Sequence, residues 1–202
     1  MTTPHINPKG RLQPRLIPRL SWMIGLVPLV WLVVRFLDVG LGVNPVEAVM
    51  RFLGDWALWW LLATLAVSPA RRLPGCGWVI RWRRFLGLNA FLYAVLHLAV
   101  YALLDHALDA ASIWKDLLKR PYMTLGFAAW VLLLPLAITS TRGWMVRLGG
   151  HWSRLHRLIY PAALLAVAHH FWMVKADLRL PLAHAALLAL LLGWRLVARA
   201  FA

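Results

Sequence analysis

The fold of this protein is decided by one apolar stretch, Leu155-His-Arg-Leu-Ile-Tyr-Pro-Ala-Ala-Leu-Leu-Ala-Val-Ala-His-His-Phe-Trp172. Between His156 and His169 the stretch is almost wholly apolar, and about 20 such residues are enough to cross a bilayer as a helix. Ionisable groups inside a span are costly, so each histidine is a functional hypothesis. Neutral imidazole is also a common axial ligand of heme iron. The stretch therefore predicts a membrane helix that carries heme ligands.

The composition supports a membrane protein. Apolar residues make up 62% of the 202 residues, charged residues make up 14%, and the mean hydropathy is +0.68. Soluble domains are nearer half apolar and a quarter charged. The formal charge of +15 could suggest a nucleic-acid partner. However, the basic residues fall in short clusters between apolar segments, which membrane topology explains better than a nucleic-acid-binding face does. We therefore expect a bilayer environment and no nucleic acid.

The alternation of apolar runs and polar loops predicts an all-α membrane protein with a six-transmembrane-helix bundle. Residues 1–21 are predicted to form a basic cytoplasmic tail, residues 22–198 the membrane domain, and residues 199–202 a cytoplasmic C-terminus. Arg51 and Asp55, one helical turn apart, are expected to pair. No internal repeat is expected beyond the alternation of spans and loops. The predicted spans are 22–39, 49–67, 85–104, 121–139, 154–174 and 181–197, with a short amphipathic helix within 107–119.

The distribution of charge predicts the orientation. With the N-terminus inside, 15 of the 22 Lys and Arg residues lie on the cytoplasmic side, and all seven acidic residues lie outside. Membrane proteins carry their excess of Lys and Arg in cytoplasmic loops. Both termini are therefore predicted to be cytoplasmic.

Two histidines are predicted to lie at the same depth. Spans three and five then run in the same direction, with His97 about twelve residues into span three and His169 about fourteen into span five. Facing side chains at equal depth are how helix bundles build cofactor sites. We therefore expect a heme b held between helices 3 and 5 by His97 and His169.

The spacing within span five leaves an alternative open. Thirteen residues separate His156 from His169, which puts them about 140° apart on an ideal helix, so His170 fits an unkinked helix better. A kink at Pro161 could change that register. A more ordinary interpretation is that such a histidine bonds a polar group of a neighbouring helix.

A second heme near the cytoplasmic side would have one candidate ligand. His156 would lie there at the depth of Arg83 and Arg84, with no histidine opposite it. The two arginines serve more simply as topology charges and lipid-phosphate contacts. The more specific alternative is that one of their guanidinium groups binds a carboxylate or phosphate of a cofactor.

Four segments together resemble the MsrQ (YedZ) family, the heme-binding membrane subunits of bacterial periplasmic methionine sulfoxide reductase systems. That family is one of the ferric reductase-like transmembrane proteins, and the resemblance covers about residues 20–198. The segments are Arg83-Arg84-Phe-Leu-Gly-Leu-Asn-Ala-Phe-Leu-Tyr-Ala-Val-Leu-His97, Arg120-Pro-Tyr-Met-Thr-Leu-Gly126, Leu134-Pro-Leu-Ala-Ile-Thr-Ser-Thr141 and Leu148-Gly-Gly-His-Trp-Ser-Arg-Leu-His-Arg-Leu-Ile-Tyr160.

The resemblance implies a multi-pass protein of the bacterial inner membrane that carries heme b and FMN. Such a protein passes electrons outward to MsrP, a molybdenum-containing periplasmic subunit that repairs oxidised methionines. His97, His156 and His169 fall on the family's histidine positions, and Arg83 falls on a family arginine. This match favours His169 over His170 as a heme ligand. It supplies no residues for FMN.

The function expected is that of an electron-transfer subunit rather than a catalytic one. Its electron donor is expected to be a cytoplasmic flavin reductase or membrane quinol. One rival is a self-sufficient transmembrane metal (ferric) reductase. A second rival is a heme-free transporter or assembly protein whose histidines only pack.

Overall fold

The computed structural model describes residues 17–200, and the side chains of residues 23–198 among them. Most of the predicted basic tail, residues 1–16, and the last two residues lie outside this part of the chain. Every regular element within it is helical, so the predicted all-α class is confirmed there. Nine α-helices occur between residues 17 and 200: α1 (Ile17–Asp38), α2 (Pro45–Ala70), α3 (Arg83–Val100), α4 (Ala110–Lys119), α5 (Pro121–Ile138), α6 (Arg142–Leu148), α7 (Gly150–Leu155), α8 (Ile159–Met173) and α9 (Arg179–Ala200).

Three short helices of other types join these elements. A 3-10 helix, Gly77–Trp82, leads into α3, and a π-helix, Tyr101–Asp105, continues from its end. A single 3-10 turn, His156–Leu158, separates α7 from α8. This turn lies within the stretch 155–172 and interrupts its helix.

Four helical segments of the described residues are long and apolar enough to cross a bilayer, which makes this a multi-pass membrane protein. They correspond to the predicted spans two, three, four and six. The predicted first span matches α1, and the predicted fifth matches α7 and α8. Neither meets the same criteria within the described residues, and α8 alone has only 15 residues. The four segments are Pro45–Ala70, Gly77–Asp105, Pro121–Ile138 and Arg179–Ala198.

The chain divides into two compact units, Met1–Val39 and Gly40–Ala202. The described part of the first unit is α1, whose apolar side chains, such as Leu37, are largely exposed. A helix that is apolar on all sides suits a lipid environment better than water.

Two helix pairs form the framework of the second unit. Its most extensive contacts join α2 to α3 and α5 to α8, and α9 packs against α2 and α8. Side chains from both pairs and from α9 meet in one apolar core, which includes Leu62, Leu133, Ala162 and Leu188. The core holds the two pairs side by side.

The expected ion pair between Arg51 and Asp55 does not form, for a reason that lies at the start of α2. Asn44 caps the helix by accepting a hydrogen bond from the backbone N–H of Glu47, and Pro45 occupies the first turn, where its missing N–H has no cost. The helix therefore begins earlier than predicted and contains Glu47 one turn before Arg51. Arg51 pairs with Glu47, not with Asp55. A Glu one turn before a basic residue is the favoured order in a helix.

Asp55 is left to pair elsewhere. Its carboxylate lies 3.3 Å from Nδ1 of His170 on α8, so this contact links α2 to α8 across the two helix pairs. Polar contacts between membrane helices are a common source of such links.

Candidate heme site

His97 is held by the neighbouring helix α2. Its ring nitrogen Nδ1 lies 2.8 Å from the backbone carbonyl of Met50. One turn further along α2, Gly54 leaves the space that the ring occupies, since a Cβ there would lie 3.1 Å from Nδ1 of His97. The carbonyl accepts a hydrogen bond from Nδ1, which leaves Nε2 as the nitrogen that can bind a metal.

His169 is held in the same way by α5. Its Nδ1 lies 2.7 Å from the backbone carbonyl of Tyr122. A Cβ on Gly126 would lie only 2.8 Å from the same nitrogen. Among the described residues, no hydrogen bond engages Nε2 of either His97 or His169.

The two arrangements have the same geometry and the same spacing along the chain. Tyr122, Gly126 and His169 each lie 72 residues after their counterparts Met50, Gly54 and His97. The two helix pairs therefore share one local geometry around a histidine. Further identities at the same offset include Leu53/Leu125, Ala57/Ala129, Leu61/Leu133, Leu86/Leu158, Ala90/Ala162 and Val95/Val167. The identities are scattered among apolar residues that any membrane helix contains, and only the shared glycine and histidine distinguish them from chance.

The rings of His97 and His169 face each other at a spacing that suits one metal ion. Two imidazoles that bind a metal from opposite sides have ring centres roughly 6.3 Å apart, given bonds of about 2.0 Å and about 1.15 Å from each nitrogen to its ring centre. The observed ring centres are 6.3 Å apart, and the ring planes meet at 79°. Two axial ligands can differ in plane angle, because each ring can rotate about the axis through the metal.

A heme fits this donor set better than a bare ion. The described residues contain no group of three or more His, Cys, Asp and Glu side chains that could hold a metal ion. A bare Zn²⁺ site needs three or four protein ligands. Heme iron takes four nitrogens from its porphyrin and needs only one or two axial ligands from the protein. Two opposed imidazoles therefore match heme.

His170 belongs to a different cluster. Its Nδ1 pairs with Asp55 at 3.3 Å, and its ring lies 5.1 Å from the ring of His184, which is fully buried. Among the described residues, Nε2 of His170 has no hydrogen-bond partner, and the same is true of both ring nitrogens of His184. The structure thus brings His97 opposite His169 rather than His170. It does so even though ideal-helix spacing from His156 favoured His170.

The position of His156 explains why its spacing from His169 gave the wrong prediction. His156 lies in the 3-10 turn before α8, so the thirteen residues to His169 do not form one α-helix. Pro161 occupies the first turn of α8, where its missing N–H is tolerated. Breaking the helix there changes the rotation that was assumed between the two histidines.

His156 makes different contacts from the facing pair. Its Nε2 lies 3.1 Å from the hydroxyl of Thr139, which donates to the carbonyl of Pro135. That hydroxyl therefore accepts from Nε2–H of His156. The ring also stacks on Trp152 at 3.9 Å, and Arg83, at the start of α3, interacts with it electrostatically. Nδ1 is then the ring nitrogen with a free lone pair, the reverse of His97 and His169.

The described structure defines a class of protein: a multi-pass helical membrane protein in which two opposed imidazoles join two helix pairs. The sequence model of one protein family, the ferric reductase like transmembrane component, matches residues 53–167, more than half of the chain. A protein of Xanthomonas euvesicatoria pv. vesicatoria is 57% identical over 155 residues, which cover 77% of this chain and 71% of the relative. A protein of Rhodospirillum rubrum is 55% identical over 173 residues, 85% of this chain and 83% of the relative.

Both relatives are named protein-methionine-sulfoxide reductase heme-binding subunit MsrQ. The chain belongs to the MsrQ family of ferric reductase-like transmembrane proteins.

Proposed function

We propose that this protein is a membrane cytochrome of the b type. It carries electrons across the bacterial inner membrane to a periplasmic MsrP-type subunit that reduces methionine sulfoxide in proteins. The relatives' names and the family match support this assignment. Reduction of a sulfoxide to a thioether consumes two electrons and two protons and releases water. The membrane subunit supplies the electrons.

The single observation that carries the proposal is the opposed pair, His97 and His169, with ring centres 6.3 Å apart. Each ring has its Nδ1 occupied by a backbone carbonyl, so each can present Nε2 to the same iron. Outer contacts of this kind fix the tautomer and orientation of metal-binding histidines. Heme bound there supplies one-electron redox chemistry, and the protein sets its potential through ligands, hydrogen bonds and burial.

The proposed topology has six spans with both termini in the cytoplasm. In addition to the four candidate spans, it includes α1 and the combination of α7 and α8. Residues 1–21 and 199–202 are the proposed cytoplasmic tails, and 22–198 the membrane domain. In this orientation His97 and His169 lie in the outer half of the bilayer, on the side of the periplasmic partner.

We further propose that His156 and Arg83 contact a second cofactor near the cytoplasmic face, which is either another heme or FMN. Binding of a metal by His156 requires Nδ1 or loss of the Thr139 hydrogen bond. A cytoplasmic flavin reductase or membrane quinol is the proposed electron donor.

The proposal is tested by expressing the protein in its native type of membrane and purifying it in detergent. We expect a Soret band, a b-type reduced-minus-oxidised spectrum, and reoxidation of the reduced protein by an MsrP-type subunit with methionine sulfoxide. His97→Ala and His169→Ala should both insert normally yet lose the heme spectrum. A protein with no heme would indicate a transporter or assembly factor instead. Rapid reoxidation by ferric chelate, with none by the MsrP-type subunit, would indicate a metal reductase.

A further inference from the structure

We propose that Gly54 and Gly126 are positioning residues that orient the two heme-binding histidines. This rests on the proposed function, because it assumes that His97 and His169 hold heme. Each glycine leaves room for one imidazole ring. It thereby allows that ring to reach the backbone carbonyl one turn earlier on the same helix.

The need for glycine follows from helix geometry. In an α-helix the carbonyl of residue i accepts from the N–H of residue i+4, so Met50 is paired with Gly54 and Tyr122 with Gly126. A carbonyl oxygen has a second lone pair that a side-chain N–H can use. The incoming imidazole must then lie beside residue i+4. A Cβ on that residue would occupy the same space.

The distances show how tight this space is. A Cβ on Gly54 would lie 3.1 Å from Nδ1 and 3.2 Å from Cε1 of His97. A Cβ on Gly126 would lie 2.8 Å from Nδ1 and 2.9 Å from Cε1 of His169. Ordinary carbon contacts are about 3.5–4.0 Å. Both contacts are with a rigid ring, so the whole ring would have to move.

Two other helical glycines show that such crowding is not general. A Cβ on Gly87 of α3 would lie 3.6 Å from a methyl group of Thr64, an ordinary contact, and a Cβ on Gly193 of α9 would meet nothing within 4 Å. Glycine weakens a helix interior relative to alanine. At Gly54 and Gly126 the two imidazole rings supply a local reason for glycine.

Moving a ring would change the bound heme as well as its affinity. The carbonyl contact sets which nitrogen carries the proton and how the ring is turned about the metal axis. The angle between the two axial ring planes governs the g-anisotropy of a low-spin ferric heme. If the bound rings keep the 79° between their planes, the electron paramagnetic resonance (EPR) signal is strongly anisotropic.

The experiment compares Gly54→Ala and Gly126→Ala with Gly87→Ala and Gly193→Ala. Heme affinity is measured by titrating hemin into the apoprotein, and ring orientation by EPR of the loaded protein. Loss of an outer contact to a metal ligand lowers metal affinity about 10–100-fold. We expect losses of that order for both site variants, with Gly126→Ala at least as affected as Gly54→Ala, and a shifted EPR signal. Gly87→Ala and Gly193→Ala should match the unmodified protein.

The outcomes separate this inference from the function on which it rests. An unmodified protein without heme overturns the proposed function. If the unmodified protein binds heme and the folded site variants keep its affinity and EPR signal, the positioning role is wrong and the heme function stands. Circular dichroism of each apoprotein establishes whether it is folded.

A second measurement needs no variant. Pulsed EPR of protein labelled with 15N-histidine should detect an exchangeable, hydrogen-bonded proton on Nδ1 of both ligands. Absence of that proton would overturn the inference even if the alanine variants fail to fold.

Discussion

His169 and His170 are consecutive residues on α8, yet they serve different neighbours. His169 donates to the carbonyl of Tyr122 and faces His97. His170 contacts Asp55 on α2 and His184 on α9. Successive residues of a helix point about 100° apart. His169 therefore faces His97 on α3, while His170 lies between Asp55 on α2 and His184 on α9.

This difference gives a matched pair of variants. His170→Ala should keep the full heme content, because it leaves both proposed ligands and their carbonyl contacts in place. It should lower stability by about 0.6 kcal/mol, a typical value for a polar contact between membrane helices. His169→Ala should lose the heme. Heme quantitation by the pyridine hemochrome method, together with thermal unfolding in detergent, measures both effects.

The reverse pattern, with heme lost from His170→Ala and kept by His169→Ala, would make His170 the ligand. It would also require α8 to be rotated about its own axis.

At the scale of the element, α4 shows how a short polar cluster can hold an amphipathic helix in place. The carboxylate of Asp116 accepts from the hydroxyl of Tyr101 at 3.4 Å and lies 3.4 Å from Nε2 of His106 and 3.3 Å from Nε of Arg120. These contacts join α4 to the end of α3 and to the start of α5. The predicted helix within 107–119 is confirmed. Its apolar side chains Trp114 and Leu118 remain exposed, as expected for a helix at a membrane surface.

Removing this carboxylate should loosen α4. We expect Asp116→Ala to increase hydrogen–deuterium exchange across Ala110–Lys119 several-fold, because local opening of an element becomes easier as its contacts are lost. Asp105→Ala is the matched control. Its carboxylate lies 3.7 Å from His106 and its side chain is half exposed, so solvent screens the contact. Equal exchange in the two variants would show that Asp116 does not hold the helix.

The interruption between α7 and α8 shows where reasoning about an element from sequence fails. The apolar run across 154–174 predicted one span, whose register a kink at Pro161 could change. The helix instead ends at Leu155, passes through a 3-10 turn and begins again at Ile159. The stacking of His156 on Trp152 and its hydrogen bond to Thr139 stabilise that turn. These partners are identified only when α5 and α7 are packed together.

At the scale of the whole molecule, charge should determine orientation. With the N-terminus inside, the basic loop around Gly75 faces the cytoplasm, and the acidic segment around Leu108 faces the periplasm. We expect alkaline phosphatase fused after Leu108 to be active and the same enzyme fused after Gly75 to be inactive. Green fluorescent protein at either site should give the opposite result. The reversed pattern would invert the topology and would place the His97–His169 pair in the inner half of the membrane.

Much of this architecture could be predicted from the sequence. Length, hydropathy and the clusters of Lys and Arg depend on the chain locally, since a bilayer selects apolar runs of a given length whatever surrounds them. Those properties predicted the helical membrane class and the four candidate spans, and they placed His97 at the depth of His169 and His170. They did not predict the shared 72-residue offset between the two histidine arrangements, because one glycine and one histidine in each stand out weakly among leucines and alanines.

The sequence by itself therefore determined that this is a helical membrane protein, and which histidines were available to it. Only the tertiary structure decided that His169 rather than His170 faces His97, that Asp55 pairs with His170 rather than Arg51, and that two glycines lie against the rings. Each of these is a contact between helices distant in sequence. Its geometry depends on how the helices are rotated and packed against one another, and helical periodicity alone does not contain that information.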